Sequence, residues 1–556
     1  MKLSHALFSL LAAYGVSALQ RWPMDYRPPG MMKGTFNSQV ASKIASVSVS
    51  RGKTKGHCGS GGGGSSGGGG GGEGGDSPLT LAPTFGWGTF KQVIDHNNPH
   101  LGTFLQRFWY STEYWAGPGS PIILANPGEQ SGTGWNVTYL TNQRITGYFA
   151  ENVAGAVVIL EHRYWGESSP YPDLTVPHLK YLTVDQALRD IIYFAENWVP
   201  PFDLSGKSHP RRAPWVLTGG SYPGALAGWA ANLAASEPEA AGHTSPFWAY
   251  YATSGVVEAI GDFWQYFSMV QQATPANCST DLVDVIAYID NILLHGSSAQ
   301  KASLKAQFLL GDLVDADFAK VPGKKGVGVT KALAGYAKWF STVVLPDLCQ
   351  ELGYADFQGL YNTGCLQNLN ASSAMYKDIS PSNAISRQWW WLLCNEPLAW
   401  FQDSAPDGRP SIVSRLVNYE YHIDICKTQF PDAAGSFGLQ HGASTAKLNS
   451  RTGGWSVPTS HTPRLLYTNG EHDPWRAATV SSAWRPGGPL ASSKNVPVHI
   501  VPGGVHCSDV YAENWAVNPG VKAVADAETA TIVRWVNEFY HEKGITKPHQ
   551  SCGCSP

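Results

Sequence analysis

The segment Trp215-Val216-Leu217-Thr218-Gly219-Gly220-Ser221-Tyr222-Pro223-Gly224 carries an apolar run into a turn of small residues that presents one serine, and Ala225, Leu226 and Ala227 then open a helical pattern. A sharp strand-to-helix turn of this kind strains the backbone of its central serine and lifts the hydroxyl to the tip of a sheet, where it can act as a nucleophile. Gly219 supplies the small neighbour that such a turn needs. The usual spacing, G-x-S-x-G, asks for glycine two residues after the serine, and Pro223 stands there instead. Proline is tolerated in a first helical turn, where its missing N–H costs no hydrogen bond, and Gly224 keeps the next position small. A serine hydroxyl is a weak nucleophile until a base takes its proton, and an imidazole held by a carboxylate is the commonest such base.

Two loops near the C-terminus offer that base and carboxylate. The apolar run Arg464–Thr468 leads into Asn469-Gly470-Glu471-His472-Asp473-Pro474-Trp475, and Val496–Val501 leads into Pro502-Gly503-Gly504-Val505-His506. Asp473 and His506 therefore follow consecutive strand candidates. With Ser221 they stand in the chain order Ser, Asp, His that α/β-hydrolases use, which distinguishes this arrangement from other serine triads. Glu471 and His472 are rivals for acid and base, and Asp509 is a second carboxylate close by; a surface loop role suits these three better. A lone loop His or Asp is ordinarily solvated polar surface, so it is the order and spacing of the three residues together that point to catalysis.

These residues need a sheet to hold them. After about Leu79, short apolar runs closed by Gly, Pro or Asn alternate with helical patterns, the signature of a βαβ architecture. Strands are predicted at Ile122–Ala125, Ala156–Glu161 and Trp215–Thr218. Between the last two, Thr183 with Gln186 forms a capping-box pattern, and Val184, Leu188, Ile191, Ala195 and Trp198 recur at helical spacing. From about Phe263 to Ala446 strand signals fade, and amphipathic stretches such as Leu282–Leu294 and Thr330–Leu345 take over. Strand patterns return after Trp455, and Thr531–Tyr540 reads as a closing amphipathic helix. One sheet interrupted by a helical cap follows: residues 79–262 form the first part of the α/β domain, 263–446 the cap and 447–545 the second part, with a tail at 546–556. An inserted helical unit of this kind commonly serves as a lid.

Composition narrows the function. With 556 residues, 43% of them hydrophobic and 12% aromatic, the chain can bury more than one core, since single cores stop growing at roughly 250–300 residues. A net charge of -3 and a charged fraction of 15% argue against nucleic acid as a partner. Lys2, the apolar stretch Ala6–Val16 and the small-residue site Val16-Ser17-Ala18 read as an export signal over residues 1–18. That stretch is shorter than the ~20 residues a membrane span needs, and no later segment suits a bilayer, so the expectation is a secreted chain, destined for an extracellular or a vacuolar/lysosomal-type compartment, with no membrane association. Residues 19–78, almost purely Gly and Ser from Gly59 to Gly75, read as a disordered propeptide or linker. Nine cysteines without C-x-x-C pairs or Cys/His metal spacing favour structural disulfides over a metal site. Neither metal nor cofactor is expected. Asn136, Asn277 and Asn370 head N-x-S/T sequons suited to a glycosylated surface.

Gly219-Gly220-Ser221-Tyr222, the Asn469–Trp475 run and Gly504-Val505-His506 together resemble the serine peptidase family of lysosomal Pro-Xaa carboxypeptidase, dipeptidyl peptidase II and the fungal prolyl endopeptidases. The resemblance extends through Asp95-His96, Phe104–Phe108, Glu161–Ser168, Arg387-Gln388-Trp389 and Cys394-Asn395-Glu396, and covers nearly all of Phe90–Tyr540. It implies an α/β-hydrolase domain split by a helical cap, with Ser221, Asp473 and His506 as catalytic residues. The backbone N–H of Tyr222 would then be one oxyanion donor, and the loop Asn126-Pro127-Gly128-Glu129 would supply a second, with Glu129 at the substrate. It further implies cleavage after proline. Proline offers no N–H, so a pocket must grip its ring by shape and aromatic contact; Trp475 matches a family position that lines such a pocket, the alternative being core packing. Ala225 stands where lysosomal members tend to have Met, so the pocket wall differs. Similarity over Glu161–Tyr171 and Trp484–Leu490 is greatest to the fungal members, which favours an endopeptidase over a Pro-Xaa carboxypeptidase or dipeptidyl peptidase; an esterase or lipase on the same fold is the more distant alternative. The expected partners are peptides or proteins containing proline.

Overall fold

A computed structural model describes residues 84–134, 137–236, 245–307, 354, 371, 374–383, 386–431, 442–457 and 464–548. The expected signal segment, the Gly-rich stretch, the helix at Thr330–Leu345 and the sequons at Asn136 and Asn370 lie outside them.

Eight strands build one sheet: β1 (Phe85–Val93), β2 (Thr103–Ser111), β3 (Ile122–Ala125), β4 (Ala156–Leu160), β5 (Trp215–Gly220), β6 (Ala249–Thr253), β9 (Arg464–Gly470) and β10 (Val498–Val501). Their order is β1-β2-β4-β3-β5-β6-β9-β10. β2 runs antiparallel to β1 and β4, and every other pairing in the sheet is parallel. This is the α/β-hydrolase arrangement, with the exchange of β3 and β4 placing β5 at the centre. The register pairs Ile122 with Trp215 and Val216 with Ala249.

The parallel strands β3, β4 and β6 are buried throughout, on both faces, as the interior of a parallel sheet requires. Ile122, Leu124, Val158, Trp215 and Leu217 join one core cluster, which takes in α2 (Val184–Asn197) and α3 (Tyr222–Ser236). Ile123, Ala125, Val157, Ile159 and Val216 join the other, with α1 (Ile145–Val153) and α4 (Pro519–Lys543). The alternation along each strand is the two-residue period of side chains about a pleated backbone. At the start of α2, Thr183 Oγ1 accepts from the Gln186 N–H at 3.1 Å. The capping box is only half made, because the Gln186 side chain turns instead to Asp95 Oδ1 and the His96 N–H.

Between β6 and β9 the described residues are mainly helical, with helices at Gln265–Ala273, Ala276–His295, Ser298–Gln307, Arg387–Asn395, Tyr419–Gln429 and Thr445–Thr452. A short parallel pair, β7 (Ile260–Asp262) with β8 (Ala399–Phe401), also lies here, where the sequence predicts fading strand signals. A disulfide joins Cys394 to Cys426, whereas Cys278 and Cys507 are free thiols. Asn277 is exposed near the start of its helix, and no described helix is long and apolar enough to cross a membrane.

Candidate active site

The end of β5 runs on to Gly220, two residues past the predicted strand, and turns at Ser221 directly into α3. Ser221 has φ +64°, a left-handed conformation that a non-glycine residue adopts only where its surroundings hold it. Its N–H donates to the Thr253 carbonyl at 3.0 Å, and its carbonyl accepts from the Ala225 N–H at 2.9 Å. Gly219 is obligatory here, since a Cβ would sit 2.1 Å from the Pro223 carbonyl oxygen. Pro223 packs on Gly128, where a Cβ would come within 2.3 Å of the proline ring. The departure from the usual glycine is thereby absorbed by a glycine on the neighbouring loop.

Asp473 and His506 meet. His506 Nδ1 lies 2.9 Å from Asp473 Oδ2 and 3.0 Å from Oδ1. Asp473 is fully buried, and its Oδ1 also accepts from the Trp475 N–H at 2.9 Å, capping the short 3-10 turn Pro474–Ala478. Burial opposes charge on His506, but the Asp473 carboxylate outweighs it and holds the imidazole well above its ordinary pKa. A ring whose Nδ1–H is bound by a buried carboxylate presents Nε2 as the basic nitrogen. Among the described residues no hydrogen bond joins Ser221 Oγ to His506. Their segments meet one residue along, where a Cβ on Gly220 would come 3.1 Å from Cys507 Sγ.

Tyr222 opens α3, so its N–H is among those left without an intrahelical partner. Its ring is buried, and His162 Nε2 accepts from its hydroxyl at 3.1 Å while His162 Nδ1 donates to the Arg163 carbonyl at 2.8 Å. Burial pushes His162 down to about 4, keeping it neutral for this role. On the loop after β3, the Gly128 N–H is taken by Asn126 Oδ1 at 2.8 Å. Glu129 is half-buried with its Oε2 enclosed and unpartnered. Burial raises its carboxyl to about 7, against the opposing pull of His506.

Trp475 is half-buried. Its ring lies 5.1 Å from Tyr266, 5.8 Å from Phe263, 6.1 Å from Trp400 and 6.2 Å from His506. Trp389 stacks on Trp400 at 6.0 Å and meets the Tyr222 ring at 5.6 Å. Tyr266, Trp389 and Trp400, which lie between β6 and β9 in the chain, thus bring an aromatic wall up to the serine turn and the histidine.

The profile of "Serine carboxypeptidase S28" matches residues 92–324 and 345–527. The chain belongs to the serine carboxypeptidase S28 family. It is 39% identical to the serine protease vicPa of Bipolaris victoriae, over 83% of this chain and 90% of that protein. With vicPb of the same fungus it shares 37%, over 86% and 93%. With the thymus-specific serine protease of Homo sapiens it shares 27%, over 79% and 84%. The chain is accordingly a serine peptidase of this family.

Of the rivals to Asp473 and His506, Glu471 and His472 are exposed. Asp509 corrects its sequence reading, for it is wholly buried and not a surface loop residue. Its carboxylate accepts from Thr253 Oγ1 at 2.7 Å and from the Tyr251 hydroxyl, partners some 256 and 258 positions away that the local sequence could not reveal. Sequence reasoning also missed Trp400 and Tyr266, whose only signal was an aromatic-rich composition.

Proposed function

We propose that this S28 peptidase hydrolyses peptide bonds on the C-terminal side of proline through an acyl-enzyme on Ser221, acting by preference inside chains. The observation that carries the reading is the buried Asp473–His506 contact at 2.9 Å beside a serine held at φ +64°. His506 Nε2 takes the Ser221 proton as Oγ attacks the carbonyl of a prolyl residue, and Asp473 stabilises the imidazolium. Charge on the tetrahedral oxygen faces the Tyr222 N–H, fixed by the first turn of α3 and by the grip of His162 on the tyrosine ring. The imidazolium then protonates the departing amine, and water repeats the sequence on the ester to regenerate Ser221.

Specificity in this reading comes from Trp475 with Phe263, Tyr266 and Trp400, flat apolar surfaces suited to a ring that brings no N–H. Glu129, neutral below about 7, can donate to a substrate carbonyl beside His506. Residues 263–446 act as a cap over this cleft, between α/β parts at 79–262 and 447–545, and the chain is exported after removal of residues 1–18. The mature form then begins with the arm 19–78. A long peptide blocked at both ends and containing internal prolines, digested and analysed by mass, tests the assignment. Fragments ending in proline, absent with Ser221→Ala, support it; cleavage at other residues overturns the proline preference, and an uncut blocked peptide whose free-ended version is trimmed overturns the endopeptidase mode.

A further inference from the structure

Beneath the catalytic loops, two acidic side chains are buried together. Asp509 follows His506 by three residues and Glu528 stands on α4; neither is exposed, α4 packs against the turn Ser508–Val510 that carries Asp509, and burial raises the proton affinity of both carboxyls, that of Glu528 further through Asp509. Glu528 Oε1 accepts from the Thr468 hydroxyl, but Oε2 is enclosed with no donor from any described neighbour. Two carboxylates in contact inside a protein cannot both hold a charge. A proton between them satisfies the enclosed oxygen and removes the repulsion.

The pair touches the segments of all three proposed catalytic residues. Thr253 donates its hydroxyl to Asp509, and its carbonyl receives the Ser221 N–H at 3.0 Å. Thr468 donates its hydroxyl to Glu528, and its carbonyl receives the Ser254 N–H at 2.7 Å, five residues before Asp473 on β9. The Ser254 hydroxyl in turn receives the Cys507 N–H at 3.0 Å, and the Asp509 carbonyl receives Trp515 Nε1–H at 2.8 Å. We propose that Asp509 and Glu528 share one proton and in that state act as positioning residues that hold the Ser221, Asp473 and His506 loops in register. The proposal rests on the triad reading above.

Loss of the proton to solvent base leaves two repelling charges and frees the His506 loop. The other titratable groups facing the pair cannot relieve this. Burial keeps the Tyr251 hydroxyl on β6 and the Cys507 thiol protonated, and burial lowers His499 on β10, so that it stays neutral. The raised carboxyl gives its full contribution below the ordinary carboxylate range and loses it as pH rises through the folded-state value.

The test is kcat and KM against pH for the full chain on a chromogenic prolyl peptide, with the rate of fluorophosphonate labelling as a second readout. The wild type should lose about tenfold in kcat on the alkaline side, with KM following only the separate titration of Glu129 near 7, since misplacing a catalytic group by about 1 Å costs up to about 10²-fold. Glu528→Ala should show that loss at every pH. Glu528→Gln, which supplies an N–H in place of the shared proton, should rescue kcat and abolish the alkaline fall. Thr468→Val, which removes only a hydroxyl that favours the charged form, should move the midpoint upwards. Glu129 titrates separately and is untouched by these changes. A wild type that takes no fluorophosphonate overturns the triad reading and the clamp with it. A reactive wild type whose alkaline limb is unmoved in Glu528→Gln and Thr468→Val overturns the clamp alone.

Discussion

Replacing Asp473 with asparagine changes one atom in the interior of the site, and its consequence follows from which oxygen is already committed. Oδ1 accepts the Trp475 N–H at 2.9 Å, so the amide oxygen of the variant stays there and its NH2 takes the place of Oδ2, 2.9 Å from His506 Nδ1. A donor facing Nδ1 forces that nitrogen to accept and moves the ring proton to Nε2, the side that must receive the serine proton. The charge that holds the imidazole above its ordinary pKa is lost as well, so the small protonated fraction remaining does not help. An asparagine in the equivalent role costs about 10⁴-fold in kcat, or about 5 kcal/mol of transition-state stabilisation. KM should change by less than about threefold, because the substitution leaves the aromatic wall alone and nothing at the binding surface is removed. Steady-state turnover of a prolyl peptide, with fluorophosphonate labelling as a substrate-independent measure, reads both quantities. A variant retaining more than about a tenth of wild-type kcat would refute the assignment of Asp473 as the group that orients His506.

Three further outcomes follow from the geometry. Gly219→Ala places a Cβ 2.1 Å from the Pro223 carbonyl oxygen, backbone that cannot swing aside, and should destabilise the chain by about 1–3 kcal/mol in denaturant melts while largely silencing Ser221. Glu129 has its folded carboxyl pKa raised to about 7, so its neutral form is stabilising below the ordinary carboxylate value and that contribution fades as pH rises through about 7; KM should climb over the same window, and Glu129→Gln should flatten both trends. Replacing Cys394 and Cys426 together opens a loop with a sequence separation of 32 and should cost about 3–4 kcal/mol in the chain-entropy account, read as a lower melting temperature under non-reducing conditions.

Much of the framework that carries the candidate site was legible because it is local. An apolar run, small residues and a serine determine a turn, so β3 appears at its predicted limits, and β5 needs only Gly219 and Gly220 added. Val496 was read as the start of a strand that begins at Val498; Pro497 has no N–H for a ladder, and only its carbonyl is used, by the Tyr467 N–H at 2.9 Å. β1 and β2 escaped prediction because Gly86, Gly88, Gln106 and Arg107 interrupt their apolar periodicity, and Arg107 is satisfied by Glu161 far along the chain. The three-residue β7 and β8 are too short for any period to show. The buried state of Asp509 was illegible for the same reason that makes it informative, since Tyr251, Thr253 and Glu528 become its neighbours only when the sheet and α4 are assembled. The proximity of Trp389 and Trp400 to Tyr222 likewise depends on how the chain between β6 and β9 packs against the sheet.

Reaction of the folded chain with a fluorophosphonate, followed by peptide mapping of the adduct, tests most directly whether Ser221 is the activated nucleophile. One adduct per chain, on Ser221, not formed if the chain is denatured before labelling and slowed by orders of magnitude in His506→Ala, is the outcome predicted here. An adduct on another residue, or a folded chain whose Ser221 reacts equally fast without His506, would contradict it.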